Sequence, residues 1–470
     1  MRLKTGYRVA IAATLSFLAM PLLAQAATAD TDVVNHGRYI ATAGDCAACH
    51  QDPKKGGSPF GGGAPLSSPV GPIYASNITP DKQHGIGSWT YEQFRDAMTE
   101  GKSPHGYLYP AMPYTAYASM TDGDLRALYT YLMTAVAPSA NEPPKTHLPF
   151  PFMRQAMPGW NLLYLRADHA ANATAPAGSV ARGEYVAQAL GHCSTCHTPR
   201  NTLMAEDTGK LLSGGPVGNW YAPNITPDKT GIGSWSDQEL TDFLTQGHNT
   251  HAIAGGDMGL AVQLSLSKLQ PDDVRALVAY LRSVPAVATP NAAGVARAAP
   301  AVNVMAVEPQ QQRDLATLAN GTGGDGAQLY ESACAACHAA NGGGTLDKTH
   351  PDLATNAAVL ATSPDNLIMT IADGVHRTVN GHAAAMPGFS ADLSNAQIGA
   401  LATYVRRSIA GLNVPAVSAE DVVRVRGGDI QQTTITQYAR PLAIAAPIVV
   451  LAIVVLLIGL RLNRRRPVAR

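Results

Sequence analysis

All six cysteines of this 470-residue chain fall in three copies of one pattern: Cys46-Ala47-Ala48-Cys49-His50, Cys193-Ser194-Thr195-Cys196-His197 and Cys334-Ala335-Ala336-Cys337-His338. None is left over, so the spacing overrules the disulfide framework that six cysteines in an exported chain would ordinarily suggest. C-x-x-C-H is the attachment pattern of c-type haem. Cysteines three apart share one face of a helical turn, from which two sulfurs reach the vinyl-derived carbons along one porphyrin edge. The adjoining histidine then offers its ring nitrogen to the iron. A thioredoxin-like pair does not require a following histidine three times over, and a zinc site gathers its four ligands from separated motifs. The expectation is three covalent haems c on Cys46, Cys49, Cys193, Cys196, Cys334 and Cys337, with His50, His197 and His338 as proximal ligands. Such groups would also fill the cores of a chain rich in glycine and proline (44 and 33) and poor in aromatics (6%).

An internal repeat sets the architecture. Tyr74-Ala75-Ser76-Asn77-Ile78-Thr79-Pro80-Asp81-Lys82 returns 147 residues on as Tyr221-Ala222-Pro223-Asn224-Ile225-Thr226-Pro227-Asp228-Lys229. Gly85-Ile86-Gly87-Ser88-Trp89 returns 146 residues on as Gly231-Ile232-Gly233-Ser234-Trp235, so the first two haem units are duplicates. Each unit opens with a short helix running into its motif, around Gly37 to Ala43, Gly183 to Leu190 and Gly326 to Ala333. Each closes with a helix of clear periodicity: Asp124 to Ala135, Asp272 to Val284 and Asn395 to Ile409. Thr121 with Asp124, Pro271, and Ser394 with Gln397 supply the start signals. Gly- and Pro-rich loops between them are read as the wrapping around a haem edge. The expected fold is all-α: three tandem cytochrome c domains at 27–145, 177–285 and 313–412, joined by a Pro-rich stretch and an Ala/Pro/Val-rich one. Asn77, Asn224, Trp89 and Trp235 suit haem contacts, turn formation and core packing about equally.

The iron also needs a ligand opposite histidine, and in electron-transfer cytochromes c that is commonly methionine. In the first unit Met112 lies 62 residues past His50 and in the second Met258 lies 61 past His197, the same place in the repeat. Met204, seven residues past His197, is too near. In the third unit Met386 precedes Pro387 as Met112 precedes Pro113, and Met369 reads as a helical core residue. Met112, Met258 and Met386 are the expected sixth ligands. Three such irons would leave no open site for a substrate. The Gly-rich run from Gly321 to Gly326 follows no predicted strand and reads as a turn rather than a nucleotide loop.

Both ends of the chain point to a membrane. Arg2, Lys4 and Arg8, an apolar run to Leu23 and Ala24-Gln25-Ala26 make residues 1–26 an export signal. Pro441 to Leu460 is twenty residues without a charge, long enough for a transmembrane helix. The five arginines after it, against Arg440 alone before it, put the C-terminus in the cytoplasm and the haem units in the periplasm. Basic and acidic residues balance at 34 each, with no basic stripe interleaved with aromatics, which argues against a nucleic-acid partner.

The combination of Asn77-Ile78-Thr79-Pro80, His84-Gly85-Ile86-Gly87, Tyr109-Pro110-Ala111-Met112-Pro113-Tyr114 and Cys196-His197-Thr198-Pro199-Arg200-Asn201 resembles the three-haem cytochrome c subunit of membrane-bound periplasmic dehydrogenases of acetic acid bacteria, over nearly the whole mature chain. The resemblance implies a large catalytic partner that oxidises alcohols, aldehydes or sugars with pyrroloquinoline quinone, molybdopterin or flavin, with room for a small third subunit. It implies ubiquinone as acceptor. Gly256-Asp257-Met258 stands where the second unit of relatives has Gly-Pro-Met. The single terminal helix is closer to the flavin-dependent sugar-type and molybdopterin aldehyde dehydrogenases. Two other readings are a multihaem peroxidase, which needs an exchangeable iron site, and a cytochrome subunit of a terminal oxidase.

Overall fold

The computed structural model describes residues 31–52, 57–68, 70–148, 153–166, 174–290, 325–346 and 349–427. The export signal at 1–26, the apolar run at 441–460 and Gly321 to Gly324 lie outside them. Among the described residues no helix is long and apolar enough to cross a membrane.

The opening helices span residues 31–43, Val180–Glu184 continued by a π-helical turn Tyr185–Leu190, and Gly326–Ala333. The first is longer than its sequence suggests. The closing helices span Asp122–Thr134, Pro271–Ser283, and Asn395–Tyr404 continued by a π-helical turn Val405–Ile409. Their start signals act as expected: the Thr121 side chain accepts from the Asp124 amide, Pro271 is the first helical residue, and Ser394 with Gln397 forms a capping box. Opening and closing helix cross at a glycine each time. A Cβ on Gly37 would lie 1.9 Å from Ala127 O, one on Gly183 1.9 Å from Ala276 O, and one on Gly326 2.4 Å from Ala400 O. No larger residue permits that backbone approach.

The loops between are more ordered than their composition suggests. Tyr91–Glu100 and Asp237–Gln246 are helices with capping boxes at Thr90/Gln93 and Ser236/Glu239, each stopped by a left-handed glycine, Gly101 or Gly247. Four two-stranded antiparallel pairs qualify the all-α expectation: Pro65–Leu66 with Ile73–Tyr74, Lys102–Ser103 with Gly106–Tyr107, Gly215–Val217 with Trp220–Ala222, and Val375–Val379 with His382–Met386. The last is closed by Asn380-Gly381 with φ of 50° and 81°, the pair that a two-residue hairpin turn demands. The fold is largely helical.

Cores follow the units, except that one cluster joins the first two units and a small one joins Ala254 and Val262 of the second to Val379 of the third. Ile40, Leu125, Leu128 and Leu132 of the first unit pack in a single cluster with Tyr185, Val186, Leu190 and Val274 of the second. The second unit adds its own cluster around Leu212, Leu240, Leu277 and Leu281. The third gathers Leu329, Ile368, Met369, Ile398 and Leu401, and continues through Val422 and Val425 on a helix Ala419–Arg426. Met369 is a core residue of the helix Asp365–Asp373, as its spacing suggests.

Candidate haem centres

The first two motifs follow a residue in the left-handed conformation, Asp45 at φ 50° and His192 at φ 40°, which turns the chain sharply into a motif helix, Cys46–Cys49 or Cys193–His197. The third follows Cys334 as Ala335–His338. None of the six cysteines is in a disulfide. Burial pushes the thiols of Cys46, Cys49, Cys193 and Cys334 up to about 12 and that of Cys196 up to about 11. A dithiol redox pair needs the opposite, a thiol pKa brought down so that a thiolate is available.

Each motif histidine is oriented by the same device. His50 Nδ1 lies 2.6 Å from Ser76 O, His197 Nδ1 2.7 Å from Pro223 O, and His338 Nδ1 3.3 Å from Pro351 O. A carbonyl can only accept, so Nδ1 carries the proton and Nε2 keeps the lone pair that a metal requires. Burial lowers the pKa of all three, which favours the neutral, ligating form. The acceptor segment is brought in by a glycine with positive φ whose N–H also bonds the histidine's own carbonyl: Gly62 to His50 O at 2.8 Å, Gly214 to His197 O at 2.7 Å, Gly344 to His338 O at 3.0 Å. A Cβ on Gly62 would lie 2.5 Å from Ser76 C, one on Gly214 3.0 Å from Pro223 C, and one on Gly344 2.7 Å from Pro351 C. This donor set fits haem c: two cysteine sulfurs for thioethers and one preset imidazole nitrogen. These glycines and carbonyls were not among the expected site residues, because Gly62, Gly214 and Gly344 stand 12, 17 and 6 residues past their histidines and no fixed spacing marks them.

The methionines occupy three different settings. Met112 sits in the turn before the helix Tyr114–Tyr117 and packs on the same cluster as Cys46 and Ala47. Met258 is on the helix Gly256–Leu264 and packs with Phe243, Ala254, Val262, Leu266 and, from the third unit, Val379. Met386 ends the second strand of the hairpin, paired with Val375. Met204 lies at φ 64° in a turn closed by its amide on Asn201 O.

The repeated asparagines are turn clamps. Asn77 Nδ2 donates to Ser139 O and Asn141 O while its Oδ1 accepts from the Thr79 amide and hydroxyl. Asn224 does the same with Val287 O and Thr226. Both amides are fully used as turn clamps and leave nothing for a haem propionate. They stand next to Ser76 and Pro223, so they also anchor the carbonyls that orient His50 and His197. Trp89 packs on the first core, and Trp235 stacks on His251 at 5.3 Å with 9° between planes.

Three cysteine pairs, each followed by a histidine whose Nδ1 is held on a backbone carbonyl, define a c-type cytochrome. A family model described as cytochrome c oxidase, cbb3-type, subunit III matches residues 32–132 and 321–405, and one described as cytochrome c matches residues 180–285. The chain is similar to the fructose dehydrogenase cytochrome subunit of Gluconobacter japonicus, 40% identical over 439 residues that cover 90% of this chain and 88% of the relative. It is 36% identical over 431 residues, 88% of each chain, to the cytochrome c subunit of alcohol dehydrogenase (quinone) of Gluconacetobacter polyoxogenes. It is 36% identical to the gluconate 2-dehydrogenase cytochrome c subunit of Pantoea cypripedii over 442 residues, 89% of this chain and 96% of the relative. The chain belongs to this family of dehydrogenase cytochrome c subunits. It binds haem c covalently and carries electrons for a catalytic subunit, with no substrate chemistry of its own.

Proposed function

We propose that this subunit takes electrons from the catalytic subunit of a periplasmic dehydrogenase that oxidises a sugar or an alcohol, and passes them through three haems c to ubiquinone. The observation that carries the reading is the threefold recurrence of one cradle: a motif histidine whose Nδ1 is bound to a carbonyl brought in by a left-handed glycine. One haem belongs to each of the proposed domains at 27–145, 177–285 and 313–412, on the cysteine pairs 46/49, 193/196 and 334/337. His50 with Met112, His197 with Met258 and His338 with Met386 are the axial pairs. Residues 1–26 direct export, 441–460 anchor the chain in the inner membrane with the haem units periplasmic, and the acceptor quinone is met at that surface.

Haem counting on the purified protein, with Met112→Leu, Met258→Leu and Met386→Leu, tests the centres. Three haems per chain are expected throughout, with each substitution lowering one haem potential and weakening the far-red sulfur-to-iron band. Carbon monoxide binding to the reduced protein would instead favour an enzyme with an open iron. A chain ended before Pro441 is expected to accept electrons from its dehydrogenase and reduce a soluble dye, yet reduce membrane ubiquinone poorly. Normal quinone-linked respiration by that form would refute the anchor.

A further inference from the structure

The third unit places a buried cation inside the second. Along the strand Val375–Val379 the side chains alternate, and Arg377 and Val379 are the two that are buried. Both face the second unit. Val379 packs with Ala254 and Met258, and Arg377 Nη1 donates to Ala254 O at 2.7 Å. The guanidinium lies against Gly247, where a Cβ would stand 2.6 Å from Arg377 Nε. Ala254 N donates back to Gly247 O at 2.8 Å, so the guanidinium is set into the closed loop that leads to the Met258 helix.

Arg377 is 6% exposed, and among the described residues no carboxylate pairs with it and the bond to Ala254 O is its side chain's one hydrogen bond. Burying a guanidinium without an opposite charge is costly, and nothing in the packing of an apolar cluster requires it. Burial is the single cause that lowers its pKa, from a value so high that the charge persists at any physiological pH. The rest of the seam holds the same loop and helix from both sides. Thr378 N donates to Gln263 Oε1 at 2.8 Å, and Ala357 N donates to His251 O at 2.7 Å. Trp220 fills the space beside Gly255 and Gly256 next to Val375, the residue paired with Met386.

We propose that Arg377 is a positioning residue that the third unit contributes to the methionine side of the second haem centre, where its buried charge raises that haem's reduction potential and its bond to Ala254 holds the loop leading into Met258. This rests on Met258 being that haem's sixth ligand. Oxidising a haem iron adds a positive charge, and a fixed cation in a low-dielectric interior opposes that addition. The remaining N–H groups suit an anion that no described residue supplies, and haem propionates are of that kind.

Spectroelectrochemical titration of the full-length protein, with covalent haem counted in every variant, separates the possibilities. The wave displaced by Met258→Leu identifies the second haem. Arg377→Gln, which can keep a hydrogen bond but not the charge, is expected to move that same wave downward with three haems retained. Arg377→Lys, which keeps the charge, is expected to return it toward the parent position. Arg377→Ala is expected to weaken the far-red band as well, as the loop loosens. A Met258→Leu wave that Arg377→Gln leaves in place, or a displacement of only the wave moved by Met386→Leu, overturns the proposal alone. An unchanged band and titration in Met258→Leu overturns the ligand assignment and the proposal with it.

Discussion

Tyr39 donates a 2.5 Å hydrogen bond to Asp273, 234 residues further along the chain. Tyr185 makes the mirror bond to Asp124, also at 2.5 Å. Tyr39 and Tyr185 hold the same place in the duplicated units, and Asp124 and Asp273 stand alike in the first turn of the two closing helices. Each opening helix thus bonds the other unit's closing helix. The amides of Gln270 and Thr121 donate to the same two hydroxyls at 3.4 and 3.2 Å. Arg182 grips Asp273 at 2.7 and 2.8 Å, and His36, its counterpart in the repeat, holds Asp124 at 2.6 Å. Aligned on its helix-crossing glycine, the third unit has Asp325, Gln328 and Gln397 in these places, so it has no means of joining the exchange.

Tyr39→Phe and Tyr185→Phe each remove two bonds, leaving a carboxylate short of a donor and an amide short of an acceptor, at a cost of about 1–2 kcal/mol apiece. Asp273→Ala is expected to cost more, about 3 kcal/mol, because the largely buried Arg182 loses a bidentate carboxylate. Denaturant unfolding of the haem-loaded protein measures both. Parent-like stability in the double tyrosine variant would show that the exchange contributes nothing.

The two halves of that exchange differ in their response to pH. The hydrogen bond that His36 donates to Asp124 raises its pKa above 6.5 against the opposing effect of burial. Protonated His36 is therefore favoured by folding. Its contribution is complete below pH 6.5 and is lost as pH rises through the higher folded value. Because the His36 side chain is half exposed, the effect is small. His36→Gln is expected to flatten the decline of Tm as pH rises above about 6.5, while Arg182 keeps the other half insensitive to pH. A wild-type slope in that variant would contradict this.

Asp45 is a second pH-sensitive point, with the opposite lesson for design. Its Oδ1 is buried with no hydrogen-bond partner, and burial, only partly offset by Lys268, raises its pKa to about 8. Well below the ordinary value of 3.8 the carboxyl is protonated, folded or unfolded. As pH climbs the unfolded chain ionises first, so stability falls until about pH 8, where the folded carboxyl ionises too. Asp45→Asn keeps a residue that tolerates φ 50° and removes the penalty. It is expected to raise Tm at pH 7, with the gain shrinking toward pH 4. Equal melting at both pH values would show that water or a haem group satisfies the oxygen.

Asn77→Ala or Asn224→Ala strips a turn of a clamp that bonds in four directions and leaves buried groups unsatisfied, at a cost of about 2–3 kcal/mol. Since each clamp adjoins the carbonyl that orients His50 or His197, one haem potential is expected to shift as well. Loss of stability with all potentials unmoved would confine the clamp to folding.

What the sequence disclosed divides by the range of the interaction that carries it. The closing helices were legible to within two residues because Thr121, Pro271 and Ser394 act on amides in their own first turn. The capping boxes at Thr90/Gln93 and Ser236/Glu239 carried the same kind of signal for two helices inside stretches read as loops, where glycine and proline content outweighed it. The cradle glycines escaped notice because the loop from histidine to glycine varies freely while the geometry does not. The tyrosine–aspartate exchange and Arg377 join positions more than 50 residues apart, and nothing local marks them. Arg377 in Val375-His376-Arg377-Thr378-Val379 looks like any polar residue of a hairpin until the partner surface is present.

The crossings at Gly37, Gly183 and Gly326 carry a consequence for how such a chain can change. They lie 90, 93 and 74 residues before the alanines they touch, so the intervening chain can lengthen or shorten by a fifth while the two helices stay in backbone contact. Insertions between them reshape the loops and leave the helix crossing alone. Replacing one of the three glycines does the reverse: it wedges the jaws apart while every loop residue remains in place.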